Sequence, residues 1–210
     1  EYNTNLTNVT NRMLKLWKEF KEIRIGASID ACNEVFDYQR APAKWTQVYE
    51  NLKKIEAHSD EINFKGWYAF TITPFNVFHF PEFMKWKLEE SDLTLFNPIH
   101  CHRPLVSYHM CHSPKYYNIK VLPPHIKQMV SEHYTEYRKW IMASDHIDNV
   151  KKYFVQHLNS VEKFMLSEDY SEEWLGEFVS ITNKLDVIRK QNVLDIVPQF
   201  ESLFNDAHNE

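Results

Sequence analysis

With 210 residues, 43% of them apolar and 15% aromatic, the chain can fill one ordinary core, or a core plus an extension, and is unlike a disordered polymer. A net charge of −5 leaves no electrostatic footprint for nucleic acid, and three glycines are too few for a phosphate-cradling Gly-rich loop. No apolar run reaches the roughly 18–20 residues of a membrane span, no leader-like segment opens the chain, and Cys32, Cys101 and Cys111 are too scattered for a disulfide framework, so the cytoplasm is the expected compartment.

In chain order, Tyr2-Asn-Thr-Asn5 reads as the tail of a strand. A helix follows from Thr7 or Asn8, capped by Thr7 or Thr10, with Met13, Leu16, Trp17 and Phe20 expected on its inner face. From Ile23 to Asp30, apolar Ile23, Ile25, Ala27 and Ile29 alternate with Arg24, Gly26, Ser28 and Asp30, the period-two pattern of a strand with one apolar face. Trp45, Val48, Leu52 and Ile55 then recur at helical spacing, so the chain has made half of a βαβ unit. Ile62–Thr73 repeats the strand pattern, with Tyr68, Phe70 and Ile72 against Ala69, Thr71 and Thr73, and Pro74 ends its ladder. A short helix is expected over Pro81–Leu88, and extended pieces over Leu93–Ile99 and Leu105–Met110.

Pro123-Pro124 closes the α/β part, giving expected domains of 1–123 and 124–210, the second wholly helical. His125–Met142 carries a stripe of Ile126, Met129, Val130, His133, Tyr137 and Trp140 or Ile141. Asp145–Met165 has the clearest period, through Ile147, Val150, Phe154, Leu158, Val161 and Met165. Asp169-Tyr-Ser-Glu172 has the form of a capping box for a helix through Trp174, Phe178, Leu185 and Ile188. A short link over Val193–Val197, ended by Pro198, and a terminal turn follow.

Ligands of βαβ units gather at the carboxyl ends of the strands, which is where Ser28 and Asp30 fall. A hydroxyl and a carboxylate there suit a ribose diol; a turn cap into Cys32-Asn33 needs the same residue types. Arg40 can take a carboxylate in a two-pronged grip, or can simply pair with Asp37. Thr73 and Asn76 flank Pro74 at the next strand end, where they either face a ligand or build the turn. His100, Cys101, His102, His109, Cys111 and His112 are zinc-type donors without a zinc-type spacing, so no metal site is expected from them.

Ile25-Gly-Ala-Ser-Ile-Asp30 with Tyr38-Gln-Arg40 and Trp45 resembles the fourth strand and following helix of a radical S-adenosylmethionine enzyme barrel, with the likeness falling nearest to the phage and environmental group that carries a twitch or SPASM-type extension. Thr71-Ile-Thr-Pro-Phe-Asn76, Phe80-Pro-Glu-Phe83, Ile119-Lys-Val-Leu-Pro123, Leu185-Asp186 and Arg189-Lys-Gln-Asn192 extend the likeness over most of the chain. The resemblance implies an α/β fold, a partial (β/α) barrel of its last three or so strand–helix units, followed by an α-helical extension. It implies that Ser28 and Asp30 meet the ribose of S-adenosylmethionine, that Arg40 meets its methionine carboxylate, and that Thr73 and Asn76 lie near its adenine or ribose.

The family's cluster loop, CxxxCxxC for a [4Fe–4S] centre, is absent; Ala31 stands where a Gly is common, and no cysteine follows Pro124 for an auxiliary cluster. The expected function is therefore the carboxyl-terminal portion of such an enzyme, supplying cofactor contacts and barrel wall for 5′-deoxyadenosyl-radical chemistry. Its partner would be the missing amino-terminal barrel half, in the same or a separate chain. The alternative is a non-catalytic α/β remnant or protein-interaction module. A sheet cut in this way is expected to expose the edge of Ile23–Asp30.

Overall fold

The computed structural model describes residues 1–96 and 106–204. In order along the chain lie β1 (Tyr2–Thr4), α1 (Asn11–Trp17), β2 (Ile23–Ser28), α2 (Asn33–Gln39), α3 (Trp45–Glu56), β3 (Phe64–Ile72), α4 (His79–Glu89), β4 (Ser107–Met110), α5 (Pro124–Ala143), α6 (Asp148–Leu166), α7 (Ser171–Arg189) and α8 (Glu201–Phe204). Short 3₁₀ turns occupy Lys115–Tyr117, Ile119–Val121, Val193–Asp195 and Pro198–Phe200. The fold class is α/β: the four strands form one parallel sheet in the order β1-β2-β3-β4.

That order decides which residues face what. Each parallel strand is added beside the last in one direction, and right-handed crossovers in one direction place their helices on one side. The alternation agrees. Ile23, Ile25 and Ala27 of β2 and Phe64, Tyr68, Phe70 and Ile72 of β3 are buried, whereas Arg24 and Lys65 are exposed and Ser28, Trp67, Ala69 and Thr71 are half-buried. Register pairs Gly26 with Trp67 and Ser28 with Ala69.

The chain falls into two compact units, the first made of Glu1–Thr71 and Phe83–His109, the second of Ile72–Glu82 and Met110–Glu210. In the first, the apolar sheet face meets an aromatic layer. Trp17 of α1 lies against Phe64, Phe83 of α4 against Tyr68 and Phe70, and Trp45 of α3 edge-on to Trp86 of α4. In the second unit α5 packs along α6, and Phe178 of α7 meets Phe75, Phe200 and Phe204. Buried Lys120 and Lys127 both turn to the α6–α7 loop, Lys120 to the Glu168 carboxylate and Lys127 to the Glu168 carbonyl at 3.1 Å and to Asp169 at 3.3 Å.

Several expectations need correction. The edge of β2 is not open: β1 pairs with it in parallel, Tyr2 opposite Ile25 and Thr4 opposite Ala27. Helix α1 ends at Trp17 and buries Leu14 and Trp17, leaving Leu16 and Phe20 exposed, because a helix this short cannot carry a four-residue stripe inward. Helix α2 occupies a stretch where the sequence pattern predicts only a loop. In α5 the inward aromatic is Tyr134, whose hydroxyl donates to the Val77 carbonyl at 2.8 Å, while Met129 is exposed. Ile147 and Ile188 are exposed as well. No capping box forms at α7, since Asp169 accepts from the Ser171 N–H at 3.0 Å and Tyr170 takes the cap position. The expected extended piece Leu93–Ile99 lies partly, and His100, Cys101, His102 and the end of the chain lie wholly, outside the described residues.

Candidate functional site

The site assembles where β2 and β3 end. After Ser28 the ladder makes one more bond, Ile29 N–H to the Ala69 carbonyl at 3.1 Å, and then a side chain takes over. Asp30 Oδ1 accepts the Thr71 N–H at 2.7 Å, so a carboxylate from the loop after β2 occupies the place of the next strand residue. Its other oxygen meets the Arg40 guanidinium. Asp30 is only 4% exposed. Burial raises its carboxyl above the ordinary range, and Arg40 and the Thr71 amide pull against that without cancelling it.

Arg40 is delivered by α2 and the turn that follows it. Its N–H closes the last turn of α2 on the Phe36 carbonyl at 2.8 Å, and its carbonyl accepts from Ala43 at 2.9 Å. Asp37 pins the far side of this turn, Oδ1 accepting the Trp45 N–H at 2.7 Å and Oδ2 the Lys44 ammonium at 3.0 Å. Asp37 thus supplies the missing cap of α3, and Arg40 is left to Asp30 rather than to Asp37. The Arg40 Nε is buried with no hydrogen-bond acceptor, although the side chain as a whole is 29% exposed. An unanswered guanidinium N–H beside a carboxylate is a donor waiting for an oxygen.

Ser28, Asp30 and Arg40 belong to the first unit; Thr73 and Asn76 belong to the second. Asn76 is wholly buried, and its Oδ1 accepts the Thr73 N–H at 2.8 Å while its own N–H returns to the Thr73 carbonyl at 3.3 Å. This reciprocal turn is what the residues build locally. Of the histidine–cysteine cluster, His109 and His112 are exposed, Cys111 is half-buried, and His112 stands edge-on to Phe164. Among the described residues no group of three or more His, Cys, Asp and Glu converges as a metal site.

Sequence reasoning missed a second polar cluster. His79 and Glu82, three residues apart on α4, and His133 on α5 face one another in the second unit. Their helical spacing was the signal that could have found them. Comparison with protein-family models, curated proteins and solved structures returned no match. No helix among the described residues is long and apolar enough to cross a membrane.

Proposed function

We propose that this chain contributes the ribose- and carboxylate-recognising strand ends of a radical S-adenosylmethionine enzyme. The single observation that supports the reading most is the strand-end trio: half-buried Ser28, buried Asp30 bridging β2 to β3, and Arg40 with an unanswered Nε–H. The Asp30 carboxylate is an acceptor group of the kind a ribose diol donates to. The Arg40 fork can donate to a carboxylate beside it. In the winding of the sheet the trio stands at the carboxyl end, as in ligand sites of parallel α/β folds. These residues fit the nucleoside and amino-acid ends of S-adenosylmethionine; the sequence holds no CxxxCxxC, so they do not fit its cluster.

When bound, S-adenosylmethionine supplies a carbon–sulfur bond for reductive cleavage. This chain's own part is to orient the molecule: Asp30 fixes the diol, Ser28 limits its tilt, and Arg40 both holds Asp30 in place and anchors the opposite charge. A cluster-bearing amino-terminal barrel half, in the same or another polypeptide, completes the reaction. The second reading, a non-catalytic α/β interaction module, draws on the missing cysteine loop alone.

Equilibrium dialysis with S-adenosylmethionine tests the proposal directly. Binding should weaken by at least about tenfold, ~1.4 kcal/mol, in Asp30→Asn and in Arg40→Gln. Anaerobic iron–sulfur reconstitution of this chain alone should give no cluster absorbance, and mixing with a CxxxCxxC-bearing half should restore turnover. No measurable binding, or equal binding by wild type and both variants, would overturn the assignment.

A further inference from the structure

We propose that His79 is a protonation-controlled clasp that fastens the carboxyl-terminal strap, residues 193–204, onto the start of α4. The inference is independent of the function proposed above and rests on the second unit alone. The strap is short and irregular, with two 3₁₀ turns and the four-residue α8, and its apolar anchors are Val193, Val197, Phe200 and Phe204. Its backbone bonds are local: Asp195 donates to the Asn192 carbonyl at 3.1 Å, Ile196 and Val197 to the Val193 carbonyl at 3.1 and 2.9 Å, and Phe200 to the Val197 carbonyl at 3.0 Å. Its attachment to the rest of the unit therefore leans on side-chain clasps.

Polar side chains supply such clasps. Asp186 of α7 accepts the Val193 N–H at 2.8 Å, His125 of α5 faces the Ser202 hydroxyl at 3.1 Å, and His79 Nε2 faces the Ile196 carbonyl at 2.7 Å. The hydroxyl of Ser202 can donate or accept, so that contact survives either form of its imidazole. The Ile196 carbonyl can only accept. On the other side of the same ring, Nδ1 of His79 faces the Glu82 carboxylate at 2.6 Å, another acceptor. A neutral imidazole carries one N–H and cannot serve both. The geometry therefore calls for a doubly protonated ring, charge-balanced by Glu82.

The ionisable groups acting on this centre are few. Glu82 comes from the same helix; from α5, His133 Nε2 lies 3.5 Å from the second Glu82 oxygen, an ion-pair rather than a hydrogen-bond distance, and Tyr137 senses Glu82 across the same space. From the strap comes the Ile196 carbonyl. Burial of His79 disfavours its charge, but Glu82 and the carbonyl outweigh that and the ring titrates above its ordinary 6.5. Glu82, opposed by burial but held by His133 and His79, is pushed down to about 2. The sign follows: a histidine raised in the folded state stabilises fully below 6.5 and loses that contribution as pH rises through its folded value. Loss of the proton leaves two acceptors facing one N–H, and the strap loosens at Ile196.

Hydrogen exchange on the full chain reads this. Protection of the Ile196, Val197 and Phe200 amides, corrected for intrinsic exchange, should fall as pH rises from about 6 through the folded-state titration of the ring, by roughly tenfold per unit of upward shift, while Leu158 and Val161 of α6 hold theirs. His79→Gln keeps one donor for Ile196 and should flatten the profile. Because a variant can perturb packing, the wild-type ring is also examined by long-range proton–nitrogen correlation, where both nitrogens should be protonated at pH 6.5. A singly protonated ring at that pH, strap protection that does not change with pH, or a wild-type slope in His79→Gln would each overturn the proposal.

Discussion

Asp30 shows how much a single buried carboxylate demands of its surroundings. It closes the gap between two strands through the Thr71 amide and is neutralised by one guanidinium. Removing Arg40 takes away the cation that faces this buried carboxylate, whereas replacing Asp30 by the amide leaves a guanidinium that can still reach water. Arg40→Ala should therefore cost about 2 kcal/mol in urea denaturation and Asp30→Asn about 1, since Asn can still accept from Thr71; the reverse ranking would contradict the description. The sequence singles out Asp30 and Arg40 separately and offers Arg40 only Asp37 as a protein partner, because nothing in local spacing shows that Asp37 is already engaged by Trp45 and Lys44.

Lys87 was legible in part: the pattern of Pro81–Leu88 turns Phe83, Trp86 and either Met84 or the Lys87 stem inward, and the structure buries all four. What no pattern shows is that the ammonium is buried too: Lys87 is 2% exposed, with its ammonium 5.5 Å from the Tyr68 ring, and burial pushes its pKa down to about 7. A lysine depressed in the folded state weakens stability wherever the unfolded chain holds the proton and the folded one does not. Stability should thus rise with pH between about 7 and 10.5. Lys87→Met should raise stability at pH 7 by a few kcal/mol, with the gain shrinking toward pH 10.5, as followed by thermal melts across that range.

Among the elements, those with long periodic patterns were the ones read correctly. The alternation in β3 and the stripes of α3 and α6 each have many turns or pleats to average over. Elements such as α1, α2 and β4 are seven residues or fewer, so tertiary contacts choose their faces. Glycines separate the two regimes. A Cβ on Gly66 would come within 2.6 Å of the buried Phe96 ring and 3.0 Å of Phe64, whereas one on Gly176 of α7 meets nothing within 4 Å. Gly66→Ala should therefore cost about 2 kcal/mol, and Gly176→Ala should gain about 0.5–1 by restoring helix propensity. Paired denaturant midpoints would decide; equal effects would mean that the β3 face is looser than described.

At the scale of the molecule, the α/β class and the helical run after Pro124 were legible because they depend only on the type and order of the elements. The division into units was not, since β3 and α4 hand residues from one to the other within a few positions of Pro74, and no change in composition marks it. The strap was illegible for a different reason: its clasp joins residues 117 positions apart, beyond the reach of any local pattern.

One consequence follows from the way the sheet is wound. Its underside is committed, each aromatic fixed by its neighbours, so variation there is punished through stability. On the opposite face the side chains of Ser28, Ala69 and Thr71 are half-buried rather than part of that aromatic layer. Evolution can rewrite those positions one at a time while the scaffold beneath stays intact. The chemistry of this face is thus free to drift faster than the aromatic layer that carries it.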